Sequence, residues 1–168
     1  MTLPRRPVPE RPGPGQESVW DYPRPPRLER TTSVVEVWLG GQVVARTTAA
    51  LRVLETSHPP TFYLPMSDFA EGALRPAPGG SLCEWKGQAS YLDVVGGDVV
   101  AEKAGWYYPR PTPGFAEIVD HVALYPGLMD RCTVDGEVVR AQPGGFYGGW
   151  VTSKVVGPFK GEPGTMSW

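Results

Sequence analysis

Residues 33–47 read SVVEVWLGGQVVART, and the fold turns on that stretch. Two runs rich in β-branched residues, 33–39 and 42–47, flank Gly40-Gly41. A two-residue turn of this kind needs positive φ, which glycine adopts without steric cost, so the stretch predicts a β-hairpin. A second pair, Gly96-Gly97, separates residues 81–95 (SLCEWKGQASYLDVV) from 98–108 (DVVAEKAGWYY) and predicts a longer hairpin. Asp135-Gly136, between CTV and EVV, predicts a third. Hairpins in succession build antiparallel sheets. The chain therefore reads as mainly β with a minor helical content: a single domain of curved antiparallel sheets and hairpins, with short helices and long irregular termini.

Working outward, Thr48 is placed to cap a short helix over 49–55, with Leu51 and Leu54 facing inward at i, i+3. Ser57-His58-Pro59-Pro60 must be extended, because each proline pushes its predecessor out of the α region. The His58-Pro59 and Pro59-Pro60 bonds are both open to a cis form. Residues 61–64 continue as a strand ended by Pro65, and Ser67 or Asp68 caps a second short helix to about Leu74, stopped by a loop over 76–80. Phe115, Ile118, Val119 and Val122 are spaced like one helical face, and HVALY (121–125) reads as a strand.

The termini differ in kind. Residues 1–16 hold five prolines and no apolar run, and are expected to be a disordered proline-rich tail. Residues 17–32 carry Trp20, Tyr22 and Leu28, anchors by which an extended strip packs on the domain at 33–140. Residues 141–168 form a glycine-rich extension that keeps Phe146, Tyr147, Trp150 and Phe159, and are expected to wrap the domain as irregular coil.

Length and composition bound the function. In 168 residues, 40% hydrophobic and 11% aromatic content belongs to one packed domain, and a net charge of -2 excludes nonspecific nucleic-acid binding by counterion release. The N-terminal residues contain neither a signal-peptide core nor a membrane span, so a cytoplasmic protein without a membrane partner is expected. A four-ligand zinc site would need Cys83, Cys132, His58 and His121 all to converge, and none lies within four residues of another. No metal is expected. No Walker motif, GxGxxG, HExxH or GxSxG is present, and no cofactor is expected.

The chemistry-bearing side chains concentrate in the middle of the chain. If the hairpins form one curved sheet, Ser90 or Tyr91 meets Trp106 or Tyr108 across strands, and an aromatic-lined concavity with a few polar groups is what small-molecule sites look like. Candidate ligand-binding residues are Tyr63, Lys86, Ser90, Tyr91, Trp106, Tyr108 and His121. Glu55 and His58, three residues apart beside a rigid diproline, are candidates for acid-base catalysis, with Cys83 a weaker candidate nucleophile. The expected function is small-molecule binding. The alternatives are a metal-independent enzyme using Glu55 and His58, and a protein-interaction module working through strand edges or the proline-rich tail; a homodimer is compatible with each.

PPTFYLP with Asp68, then Cys83, Lys86-Gly87, Ala89-Ser90-Tyr91, Ala104, Trp106, Tyr108-Pro109, Ala123 and Tyr125 follow one another in an order that resembles the DUF427 family. The flanking ESVWDYPRPP, GGFYGGWV and VGPFKG look like a long-form subgroup of it. The resemblance implies a mostly antiparallel fold of the Mss4-like, or β-tent, type, here without the paired CxxC motifs that hold zinc in many relatives of that fold. It implies no activity, and a nucleotidyltransferase label sometimes attached to the family finds no supporting residues here. Glu84 stands where members often carry proline and Tyr107 where many carry serine, so the pocket shape is expected to differ.

Overall fold

The computed structural model describes residues 6–168. Seven strands form the main sheet, in the spatial order β2 (Arg27–Arg30), β5 (Leu51–Leu54), β6 (Thr61–Pro65), β10 (His121–Leu124), β9 (Val99–Tyr107), β8 (Gly87–Gly96) and β7 (Leu74–Cys83). Four more form a second sheet ordered β12 (Glu137–Val138), β11 (Arg131–Val134), β3 (Val35–Leu39) and β4 (Gln42–Thr47). All neighbours within these two sheets are antiparallel. Two minor pairs join the termini: β1 (Glu17–Ser18) with β15 (Val155–Val156), and β13 (Arg140–Ala141) with β14 (Trp150–Val151). The protein is thus mainly β, and the three turns Gly40-Gly41, Gly96-Gly97 and Asp135-Gly136 each close a hairpin.

Period-two alternation explains the layering. Val35, Val37 and Leu39 of β3 point one way and are buried. They meet Phe62, Leu64, Val94 and Leu124 from one face of the main sheet, with Trp150 filling the space between. Burying such side chains stabilises each by about 1.5–3 kcal/mol relative to exposure. The two glycine turns also meet in space. A Cβ on Gly40 would run into the carbonyl oxygen of Gly96, and one on Gly96 into that of Leu39, so glycine here permits backbone to lie on backbone.

Several local expectations are corrected. Residues 51–54 form strand β5 rather than a helix: alternation sends Arg52 to one side, against Glu17 and Glu29, while Leu51 and Val53 pack on the other. Where a second helix was expected there is a 3-10 turn, Met66–Asp68, and the 76–80 loop is a bulged part of β7. The helical elements among the described residues are all 3-10 turns, including Pro113–Ile118, which carries Phe115 and Ile118 into the interior. Among the described residues the cis bonds are Arg24-Pro25 and Gly157-Pro158; those beside Pro59 are trans. Residues 6–16 hold no strand, yet the Glu10 amide donates to the Gly157 carbonyl at 2.8 Å and Gln16 Nε2 to that of Ser153 at 2.8 Å, tying 10–16 to the body. The rest of the expected tail, residues 1–5, lies outside the described residues.

The contact between the glycine turns sets a test of this packing. Gly96→Ala lowers stability by about 2 kcal/mol, the scale of forced overpacking. Gly41→Asn, at a left-handed position with open space around it, costs under about 1 kcal/mol. Urea unfolding of the two variants reads the difference.

Candidate functional site

The face of the main sheet turned away from Trp150 is built from a cross-strand row. Leu51 of β5 stands opposite Tyr63 of β6, Ala123 of β10 opposite Trp106 of β9, and Trp106 opposite Tyr91 of β8. Because Val122 pairs with Leu64, Tyr63 is the neighbour of Ala123 in the same row. The single methyl of Ala123 leaves the rings of Tyr63 and Trp106 room to lean over it. Tyr108 and Tyr125 extend the aromatic surface, with ring centroids 6.4 Å from Tyr63 and 4.8 Å from Trp106 respectively.

Over this surface lies a cavity of about 390 Å3. Glu55, His58, Tyr63, Lys86, Tyr91, Trp106 and Tyr108 all line it. Ser90 and His121 do not. Ser90, one residue along β8 from Tyr91, points to the opposite face, across from Tyr107. His121 opens β10 opposite Pro65, and its Nδ1 lies 2.8 Å from the Val119 carbonyl oxygen.

The cavity has walls the middle of the sequence did not announce. Gln142, Tyr147, Gly148 and Lys160 come from the C-terminal extension, and Tyr125 and Cys83 also line it. Leu82 and Phe146, 78% and 75% exposed, stand at its mouth. Gly148 sits so close to the indole of Trp106 that any side chain there would strike the ring. The available signal was GGFYGGW, aromatics between glycine pairs, but it carries no periodicity that aims a side chain.

One polar chain crosses the cavity wall. Gln142 Oε1 accepts from the Gly149 amide at 3.1 Å and its Nε2 donates to the Lys160 carbonyl at 2.8 Å, which fixes the orientation of the amide. The same Nε2 is 3.0 Å from His58 Nδ1. An amide nitrogen has only protons to offer, so Nδ1 accepts and the imidazole proton sits on Nε2, 3.5 Å from Glu55 Oε2. That oxygen also takes the Arg24 guanidinium at 3.2 Å. The Tyr63 and Tyr108 phenols, buried beneath, are pushed far above the ordinary range and stay protonated.

A second cavity, of about 630 Å3, lies on the other side of β5 and β6, lined by Arg52, Phe62 and Trp150. Several of its charged groups are partnered: Arg52 binds Glu17 and Glu29, Tyr22 donates to Glu17 at 2.8 Å, and Glu137 accepts from Ser153. Burial tends to raise Glu17, but the bonds from Arg52 and Tyr22 outweigh it and hold the carboxyl below its usual range. Among the described residues, no group of three or more His, Cys, Asp or Glu side chains is placed to hold a metal ion. Cys132 is in the inter-sheet core, away from Cys83 and His58.

His58 gives the site a pH signature. Burial, together with the positive charges of Lys160, Arg24 and Lys86, holds it down at about 4, against 6.5 for the free side chain. Between those values the unfolded chain takes up a proton that the folded one refuses. Stability is therefore complete above about pH 6.5 and declines as pH falls toward 4, by roughly 3 kcal/mol in all. The melting temperature should fall across that interval, and His58→Gln should flatten the fall; an unchanged slope in the variant would assign it to other groups.

The family described as Domain of unknown function (DUF427) matches residues 27–135, more than half of the chain. No curated protein matches it. No helix among the described residues is long and apolar enough to cross a membrane. The matched span contains the whole aromatic row and both Glu55 and His58, while Gln142, Tyr147 and Lys160 lie beyond it. On that match, the chain belongs to the DUF427 family.

Proposed function

We propose that the protein binds a small organic molecule in the cavity over Tyr63, Trp106 and Tyr108. One observation carries the reading: seven of the nine candidate side chains, from separate sequence segments, line one space of about 390 Å3 that the protein's own residues leave open. That volume is within the range of ligand sites, and apolar rings with a few convergent polar groups are their usual composition. Residues 17–32 and 141–168 belong to the same functional unit, because Arg24 and Lys160 reach the site from them. A fold of the Mss4-like, β-tent type and a cytoplasmic location go with this reading.

A catalytic version rests on Glu55. With its lone pair on Nδ1 facing the Gln142 amide, His58 has no free basic nitrogen for a substrate. Glu55 Oε1 takes part in none of the bonds that hold Oε2, so it is the oxygen placed to accept a proton.

A metabolite panel screened by thermal shift should yield a saturable stabilisation of several degrees at ligand concentrations well above Kd. Trp106→Ala, and Gly148→Leu, which forces a side chain into the indole, should abolish it while leaving the circular dichroism of the fold intact. Shifts that persist in both variants would place binding elsewhere. If turnover accompanies binding, Glu55→Gln should remove it and spare the thermal shift.

A further inference from the structure

Resting on the binding reading above, we infer that the cavity recognises an anion: its ligand is an aromatic or otherwise planar molecule carrying a carboxylate or phosphate group, held by Lys86 and Lys160. Two lysines reach the same space from unrelated parts of the chain, Lys86 from the turn between β7 and β8 and Lys160 from the C-terminal extension. Neither is ion-paired among the described residues. Each ammonium stands near a cavity ring, Lys86 Nζ 5.8 Å from the centroid of Tyr108 and Lys160 Nζ 5.6 Å from that of Tyr147, and Lys160 Nζ also donates to the Trp168 main-chain oxygen at 3.4 Å. Such contacts hold a cation in place at modest strength, about 0.5–1 kcal/mol where solvent reaches, and an arriving anion outbids them.

The remaining polar groups point the same way. Among the described residues, Glu55 is the only side-chain carboxylate lining the cavity, and it already shares Oε2 with the Arg24 guanidinium, so it offsets a third cation rather than either lysine. His58 is neutral, and it turns an N–H rather than a lone pair toward that carboxylate. The buried phenols of Tyr63 and Tyr108 keep their protons and add no negative charge. Positive charge thus exceeds negative charge around a space walled by rings, in a protein whose net charge is -2. Lysine binds carboxylate or phosphate as a point charge, so the pair does not choose between those two anions by geometry. The walls add a requirement of shape. Trp106 and Tyr125 line the space with ring centroids 4.8 Å apart, and packing against aromatic rings favours a flat conjugated body.

The test is a matched panel: benzoate with benzamide, phenyl phosphate with benzyl alcohol, and indole-3-carboxylate with indole-3-carboxamide. Each is titrated into the full chain and read by the NMR shifts of the Trp106 indole N–H and the Gly148 amide. The anionic member of each pair should bind about tenfold or more tightly than its neutral partner and weaken with added salt. Lys86→Met and Lys160→Met should each reduce anion affinity about tenfold and leave the neutral partners unaffected. Lys154→Met, at the other cavity, should change neither. Neutral and anionic members binding alike, with the lysine variants unchanged, would overturn the anion inference and leave the binding cavity standing. No member moving the Trp106 and Gly148 signals would overturn both. Inorganic phosphate, titrated alone, separates the sources of affinity: saturation by phosphate with no gain from an attached ring would remove the aromatic requirement.

Discussion

The structure depends on β5 and β6 being covered on both faces. Phe62 and Leu64 point to the inter-sheet core, Leu51, Val53 and Tyr63 to the ring-lined side, and a one-residue slip would exchange the two sets. Both sides need a covering element, but different ones. The core side has a second sheet plus Trp150, completely buried and tied by its backbone amide to the Pro60 carbonyl at 2.8 Å. The other side has the turn that carries Phe115 and Ile118 against Leu51 and Val53, and the segment around Gly148 and Gly149. A Cβ on Gly149 would collide with Gln142 and Pro59, and one on Gly148 with the Trp106 indole, so backbone approaches the sheet closely at these two positions. The space beside them is lined by rings, Tyr147 among them, rather than filled.

The two termini are fixed to the same few residues. The Ser57 amide donates to the Val19 carbonyl at 3.1 Å, and the Lys160 amide to the Ser57 carbonyl at 2.9 Å, which stacks the N-terminal strip, the link between β5 and β6 and the C-terminal extension in one place. Arg52, mostly buried between Glu17 and Glu29, clips the strip to β5 from the other face. The link 55–60 therefore carries Glu55 and His58 into the cavity under restraint from both ends of the chain. Extended backbone before Pro59 and Pro60 restricts it further.

The hairpins were legible because glycine turns state their own geometry, and the alternating valines state their own faces. The row from Tyr63 to Tyr91 was legible in composition, since rings and polar groups crowd the segments that form it. Register was not: whether Ser90 or Tyr91 faces the rings depends on a one-residue shift that composition does not encode. LRVL at 51–54 was misread because leucines at i, i+3 fit a helical turn as well as a short buried strand, and four residues are too few to decide. LRPAPGGSLC was missed as β7 because its prolines and glycines look like a loop; an exposed edge strand tolerates them where a central one would not. His121, a candidate ligand-binding residue, lies outside the cavity, and its Nδ1 makes a local contact with the Val119 carbonyl instead.

The C-terminal extension shows what sequence pattern leaves out. Gln142, Gly149 and Lys160 have no motif among them, yet their mutual bonds orient one side-chain amide, and that amide decides which nitrogen of His58 carries its proton. The proton position in turn decides what His58 can do: with Nε2–H toward Glu55 it is a donor that steadies a carboxylate, and with the other tautomer it would have been a base. Chemistry at the ring-lined face is thus set jointly by a β domain that supplies the groups and by an extension, irregular in pattern, that orients the amide beside His58 and supplies one of the two lysines.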